Sequence, residues 1–223
     1  MRRWAIAICV ALCLFSTSFA EERDVRSLFL SIPEAVLPHF EPEHRVALLE
    51  QYDRDRAGYI EDAIVVINNF QGRSSITQIA DGFMAIRLDE EVTLQIKMLM
   101  DGRGNSVISL LYTTTSLPHM SVLTFYDDEW RRLPNEEFIE MPSWSQFLQD
   151  PSIAETNEVK MVMNAIGPLL YRCQWMSDSD VMTIQATTFE NQVQAKLYPE
   201  VMKWLKSGGL RYIWQHGKLQ NEA

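Results

Sequence analysis

Apolar and polar positions along this chain change period several times, and each change marks a different kind of element. Between Asp24 and Phe40 the apolar residues are punctuated by Pro33 and Pro38, which predicts a short helix or two. A firmer helix follows. Pro42 suits the first helical position, Glu41 and Glu43 favour the positive end of the dipole, and Val46, Leu49 and Tyr52 recur at helical spacing until Gly58. Ile60, Ala63, Ile64 and Ile67 share one helical face and predict a second helix that stops near Gly72. The period then drops to two. Val92, Leu94, Ile96 and Met98 alternate with Thr93, Gln95 and Lys97, which predicts a half-buried strand. Similar segments lie at 76–79, 83–88, 107–113 and 120–126, and the Asp101–Asn105 segment is a turn between two of them.

From Leu133 to Asn157 the pattern weakens. The stretch is acidic, carries prolines at 134, 142 and 151, and predicts one short helix near Trp144–Leu148. Ser152-x-x-Glu155 reads as a capping box that opens a helix through Val159, Val162, Met163 and Ile166, stopped by Gly167-Pro168. Strands are expected at 169–176 and 181–187, a helix from about Pro199 to Lys206, and a closing hairpin with His216-Gly217 at its turn.

Sequential strands joined by short turns give an α+β class: an antiparallel sheet meander with helices packed on it, in two subdomains each of helix-then-strands character. The expected division is a signal peptide at 1–20, an N-terminal unit at 21–132, an acidic Pro-containing connector at 133–157 and a C-terminal unit at 158–223. The last unit is marginal for a core of its own, so the two are expected to share one core or a broad interface.

Residues 1–20 change the picture more than any later segment. Arg2 and Arg3, the apolar run from Trp4 to Phe15 and the small-x-small site Ser18-Phe19-Ala20 read as a cleavable export signal. Export points to the periplasm first, with the cell surface or secretion as alternatives. Val10-Ala11-Leu12-Cys13 is a poor lipobox, because Leu12 is bulky and Leu14-Phe15 follow the cysteine. Cleavage removes Cys9 and Cys13, so Cys173 alone remains and no internal disulfide is available. The net charge of −10 becomes −12, since 18 Lys+Arg (20 less Arg2 and Arg3) then face 30 Asp+Glu. An acidic surface repels phosphate backbones and anionic lipid, which argues against nucleic-acid and membrane-surface partners.

The candidate chemistry is sparse. Asp53-Arg54-Asp55-Arg56-Ala57-Gly58 matches the start of a calcium loop, but Ala57 and Ile64 stand where two ligands belong, including the closing carboxylate. His39-Phe40-Glu41-Pro42-Glu43-His44 crowds four potential metal ligands, yet the spacing fits no established zinc pattern, and a helix start explains the glutamates. No nucleophile elbow or paired-cysteine motif is present, and Cys173 lies in an alternating apolar strand where a buried, inert thiol is expected. Glu90-Glu91, Asp127-Asp128 and Glu136-Glu137 are adjacent pairs, which do not face each other as a glycosidase pair must. No catalytic residue, metal ligand or cofactor is therefore assigned. The positive signal is aromatic. Trp130 and Trp214 both fall in hairpin-like segments, where an exposed indole could stack on a sugar or anchor a protein, and a buried one would serve the core.

Leu28–Glu34 with Leu37-Pro38, the segment GRSSITQIADGFMAIRLDEEVTLQIKML, the segment FYDDEWRRLP and the closing YIWQHGKL together resemble an exported family of unknown function found in Bacteroidales. The segments span nearly the whole mature chain. The resemblance implies export and the α+β class and brings no site residues with it. The combined reading is a non-catalytic binding module for an envelope protein or glycan. The alternatives are a periplasmic hydrolase with dispersed catalytic residues and an oligomeric envelope assembly factor.

Overall fold

In the computed structural model, which describes residues 24–58, 65–166, 168–188, 199, 201–206 and 208–222, the strands fall into two antiparallel meanders. The larger has seven strands in chain order: β1 (Val66–Ile67), β2 (Arg73–Ala80), β3 (Phe83–Arg87), β4 (Val92–Met100), β5 (Ser106–Thr114), β6 (Ser121–Tyr126) and β7 (Arg132–Leu133). The smaller has four: β8 (Tyr171–Trp175), β9 (Val181–Ala186), β10 (Leu210–Gln215) and β11 (Lys218–Asn221). The proposed signal peptide lies outside the described residues. Among those residues, no helix is long and apolar enough to cross a membrane.

The large sheet is the middle of three layers. Alternation sends Ile76, Met84, Ile86, Leu94, Ile96, Ile108 and Leu110 to one face, where they join Val25, Leu28 and Phe29 of α1 (Val25–Ser31) and Leu48 and Leu49 of α2 (Pro42–Arg56). The opposite face sends Phe83, Leu99, Val107, Leu111, Leu123 and Phe125 against Cys173, Trp175, Met182, Ile184, Tyr212 and Trp214 of the small sheet. Every residue from Val107 to Leu111 is buried as a result. A strand buried on both faces reads as a continuous apolar run, as β5 does.

Each covering layer is clamped by polar groups as well as by packing. Arg45, on the inner side of α2, is 1% exposed. Its guanidinium donates to the carbonyls of Leu30 and Ile32 at the end of α1, and to Phe40 O at 3.0 Å. A cation at the negative end of a helix satisfies carbonyls that the helix itself cannot. Burial pushes the Arg45 pKa down, against the pull of Glu34. Tyr52 adds a second tie, its hydroxyl accepting from Ile79 N at 3.1 Å beside the β-bulge of β2. On the other face, Trp175 Nε1 donates to Ser109 Oγ at 2.9 Å, and Trp214 Nε1 donates to Met100 O at 2.6 Å. Lys97, 3% exposed, reaches Asp180 Oδ1 at 3.1 Å.

Several expectations are corrected. β4 is covered on both faces over only part of its length: Lys97 is buried beneath the small sheet and Gln95 meets the edge strand of that sheet, while Thr93 lies in the part left open. The helix expected from Ile60 to Gly72 is absent over its described part. Val66–Ile67 is a strand paired with β2, and Asn68 closes a turn by accepting from Phe70 N and Gly72 N, while residues 59–64 lie outside the described residues. The capping box at Ser152 does not form either. Pro151–Glu155 is a 3-10 turn, Ser152 bonds to Asp150, and the Glu155 carboxylate is held by Lys160. The helix Asn157–Ile166 starts after it, with Thr156 Oγ1 accepting from Val159 N. Of the helix expected from Pro199, Val201–Trp204 is described as helical. The short helix expected near Trp144–Leu148 is present at Trp144–Phe147, and so is the Gly58 stop of α2. The connector is tied to the small-sheet side of the molecule, with Leu219 N donating to Phe138 O and Lys206 N to Phe147 O.

Candidate functional site

The helices lie over β2 to β4 and leave the β5–β6 end of their face open. Directly opposed residues of an antiparallel pair share a face, so Tyr112 and Val122, Leu110 and Thr124, and Ile108 and Tyr126 all look toward the helix side. Tyr112, Tyr126 and Trp130 pack on the core cluster that holds Ile108 and Leu110, half-buried themselves. Val122 is 61% exposed beside them, and Phe70 is 63% exposed. His39, from the loop between α1 and α2, joins them: its ring stands 6.0 Å from Tyr112 and 4.9 Å from Phe70. Tyr126 and Trp130 rings are 5.9 Å apart. The result is an aromatic strip along the open half of this face.

Trp130 is held in an unusual backbone. Two hairpin turns of the large sheet share one hydrogen-bond pattern. In the β4–β5 turn, Asp101 Oδ1 accepts from Arg103 N and Asn105 N, and Gly104 N donates to Asp101 O. In the β6–β7 turn, Asp127 Oδ1 accepts from Glu129 N and Arg131 N, and Trp130 N donates to Asp127 O. The fourth residue is left-handed in both, with φ 86° for Gly104 and 63° for Trp130. Glycine takes that conformation freely, whereas a bulky residue there costs on the order of 1 kcal/mol. The Asp127 turn is braced to hold it. Burial pushes the carboxyl pKa up, but the Arg131 side chain and the turn N–H groups outweigh this and leave it below the ordinary carboxylate range.

Electrostatics along the strip are neutral. Burial lowers the His39 pKa, with Asp89 pulling the other way, and burial raises the Tyr112 hydroxyl to about 12. Trp130 Nε1 and His39 Nδ1 are both shielded from solvent and have no hydrogen-bond partner. An unpaired buried donor or acceptor costs about 1–3 kcal/mol.

The other sequence-predicted candidates are dispersed. Trp214 is 8% exposed, its ring 5.9 Å from Phe138 and 6.0 Å from Phe125 in the inter-sheet core, so its indole packs and does not face a ligand. Asp53 is held by Arg26 at 2.7 and 2.8 Å, Asp53–Arg56 of the calcium-like loop form the last turn of α2 and not a loop, and residues 59–64 lie outside the described residues. His39 and His44 enter no metal cluster: among the described residues no group of three or more His, Cys, Asp or Glu is placed to hold an ion. Cys173 is buried, and burial pushes its thiol up to about 12, which leaves it protonated and unreactive. Sequence reasoning took His39 only as a candidate metal ligand and missed Phe70, Tyr112, Val122 and Tyr126. The signal for Trp130 was present, since Asp127-x-x-Trp130 repeats Asp101-x-x-Gly104 with tryptophan in the place of glycine.

No match is found among curated proteins. Among solved structures, the chain is similar to a domain of an uncharacterized protein from Porphyromonas gingivalis W83, with a TM-score of 0.66 and 21% identity over 87% of this chain and 96% of that one. At that identity the likeness establishes the fold alone, and its source accords with the resemblance to a Bacteroidales family. The family described as "Protein of unknown function (DUF3256)" matches residues 17–219, so the chain belongs to that family.

Proposed function

We propose that this chain is an exported, non-catalytic binding module that holds an envelope protein or glycan against the aromatic strip around Trp130. The observation that carries the reading is Trp130 itself: a tryptophan in a left-handed position that its sister turn gives to glycine, with its indole N–H shielded and unpartnered. Aromatic residues of this kind anchor partners by removing large area from water at low entropic cost. The titratable groups along the strip are a histidine kept neutral by burial and two tyrosines, which suits contact better than acid–base work.

Export rests on the residues of the 1–20 segment. N-terminal sequencing of protein recovered from the envelope fraction should begin at Glu21, and an uncleaved cytoplasmic chain would remove the localisation. For the strip, a photo-crosslinking residue at Val122 is compared with one at Thr183 on the outer face of the small sheet, each in envelope extract. Crosslinking to one protein from position 122 and not from 183 supports a protein partner. No crosslink, with retention of purified envelope polysaccharide that Trp130→Gly loses, supports a glycan. Neither outcome at either position sinks the binding reading.

A further inference from the structure

The small sheet covers its side of the large sheet only in part, and its edge strand β8 ends the cover. Met176 N donates to Val181 O and Thr187 N to Leu170 O, so the even-numbered residues of β8 bond to β9 and the odd-numbered N–H groups point outward. Side chains of the large sheet meet them: Cys173 N donates to Ser121 Oγ, and Trp175 N to Gln95 Oε1, both at 2.9 Å. Beyond that edge the large sheet is bare and polar. The corner forms a cleft of about 180 Å³, with Thr77, Thr93, Gln95 and Thr113 on its floor and Arg172 and Gln174 on its wall.

The hydrogen-bond roles of these groups are already half-assigned. Thr77 Oγ1 donates to Ala85 O and Thr93 Oγ1 to Thr113 O, so both hydroxyls are left as acceptors. Gln95 accepts the Trp175 N–H on its carbonyl oxygen, so its amide nitrogen remains a donor. Arg172 is the one charged lining residue, and its guanidinium makes no ion pair or hydrogen bond among the described residues. Arg87, directly opposite Thr93 on the same face, is likewise without an ion pair among the described residues.

Free donors around a guanidinium call for an anionic acceptor, and free hydroxyl acceptors call for donor groups beside it. We infer that this cleft binds a hydroxylated carboxylate, a single sugar-acid unit, with its carboxylate on Arg172 and Gln95 and its hydroxyls on Thr77 and Thr93. The volume suits one ring and falls below the roughly 300–1,000 Å³ of sites for drug-sized ligands. The site does not rest on the aromatic strip, which occupies the opposite face of the sheet.

The test is a titration of the full chain with D-glucuronate, D-glucose and acetate, followed through the side-chain N–H signals of Arg172 and Gln95. Glucuronate is expected to bind about tenfold or more tightly than glucose or acetate. Arg172→Gln should abolish the preference over glucose, and Thr93→Val the preference over acetate, with melting temperatures held. Trp130→Gly should leave glucuronate binding unchanged, which separates failure here from failure of the strip. Equal weak shifts with all three probes, or unaltered glucuronate affinity in both cleft variants, would overturn the assignment.

Discussion

The two faces of the large sheet are covered by different means and left open in different ways. On the helix face, α1 and α2 bring apolar side chains and one buried cation, Arg45, and the uncovered remainder is aromatic. On the other face the small sheet brings a core of its own together with polar ties at Ser109, Gln95, Ser121 and Lys97, and the uncovered remainder is polar. The difference teaches that cover and opening follow one rule on each side. A helix packs on aliphatic rows and stops where rings take over. A sheet edge must satisfy its outward N–H groups, so it ends where hydroxyls and amides are at hand.

The largest effect is expected from cutting the sheet-side cover. Trp175→Ala removes a fully buried ring and leaves Ser109 without its donor, and should cost about 3–5 kcal/mol in denaturant unfolding. On the helix side, Arg45→Met keeps the bulk and leaves the carbonyls it serves unpaired, for a loss of about 2–3 kcal/mol by the same measurement. A smaller loss than that from Trp175→Ala is the ordering the comparison requires. The Lys97–Asp180 pair should respond unequally. Lys97→Met replaces a buried cation with an apolar side chain and should change stability by under about 1 kcal/mol, whereas Asp180→Asn strands the buried ammonium and should cost more. Equal losses would show that Lys97 is better solvated than its burial implies.

The openings should be nearly silent in stability. Trp130→Gly relieves the left-handed backbone while removing ring contacts, so its net effect should stay within about 1 kcal/mol. Smallest of all is a pH effect at His39. Burial lowers its folded-state pKa, so the unfolded chain takes up the proton first as pH falls below the ordinary histidine value near 6.5. The His39 contribution is therefore fully present above that value and fades as pH drops through the lowered folded pKa. Subtracting the profile of His39→Phe from that of the wild type isolates it, and a difference that grows in favour of the wild type on acidification would contradict the assignment.

The sheet meander was legible because turns and alternation are local: Asp101–Asn105, the His216-Gly217 turn and the β4 pattern each carry their own signal. Here His216 and Gly217 both take positive φ, as a two-residue hairpin requires. The faces were not legible. Nothing in β4 says that Gln95 and Lys97 meet the backbone of β8 and the carboxylate of Asp180, since both partners lie some 80 positions away. The same holds for the strip, whose His39, Tyr112 and Trp130 come from three separate elements. Residues 65–72 misled for a different reason: an aliphatic run fits a helix face, but Asn68 and Gly72 close a turn that pairs Val66 with Ser74.

The central claim, that the open aromatic half of the helix face is where a partner docks, is tested most directly by the affinity of the captured envelope partner for wild type and Trp130→Gly at matched stability. The account predicts a loss of about tenfold or more with the melting temperature held. Unchanged affinity would place the partner elsewhere on the molecule and reduce Trp130 to a packing residue.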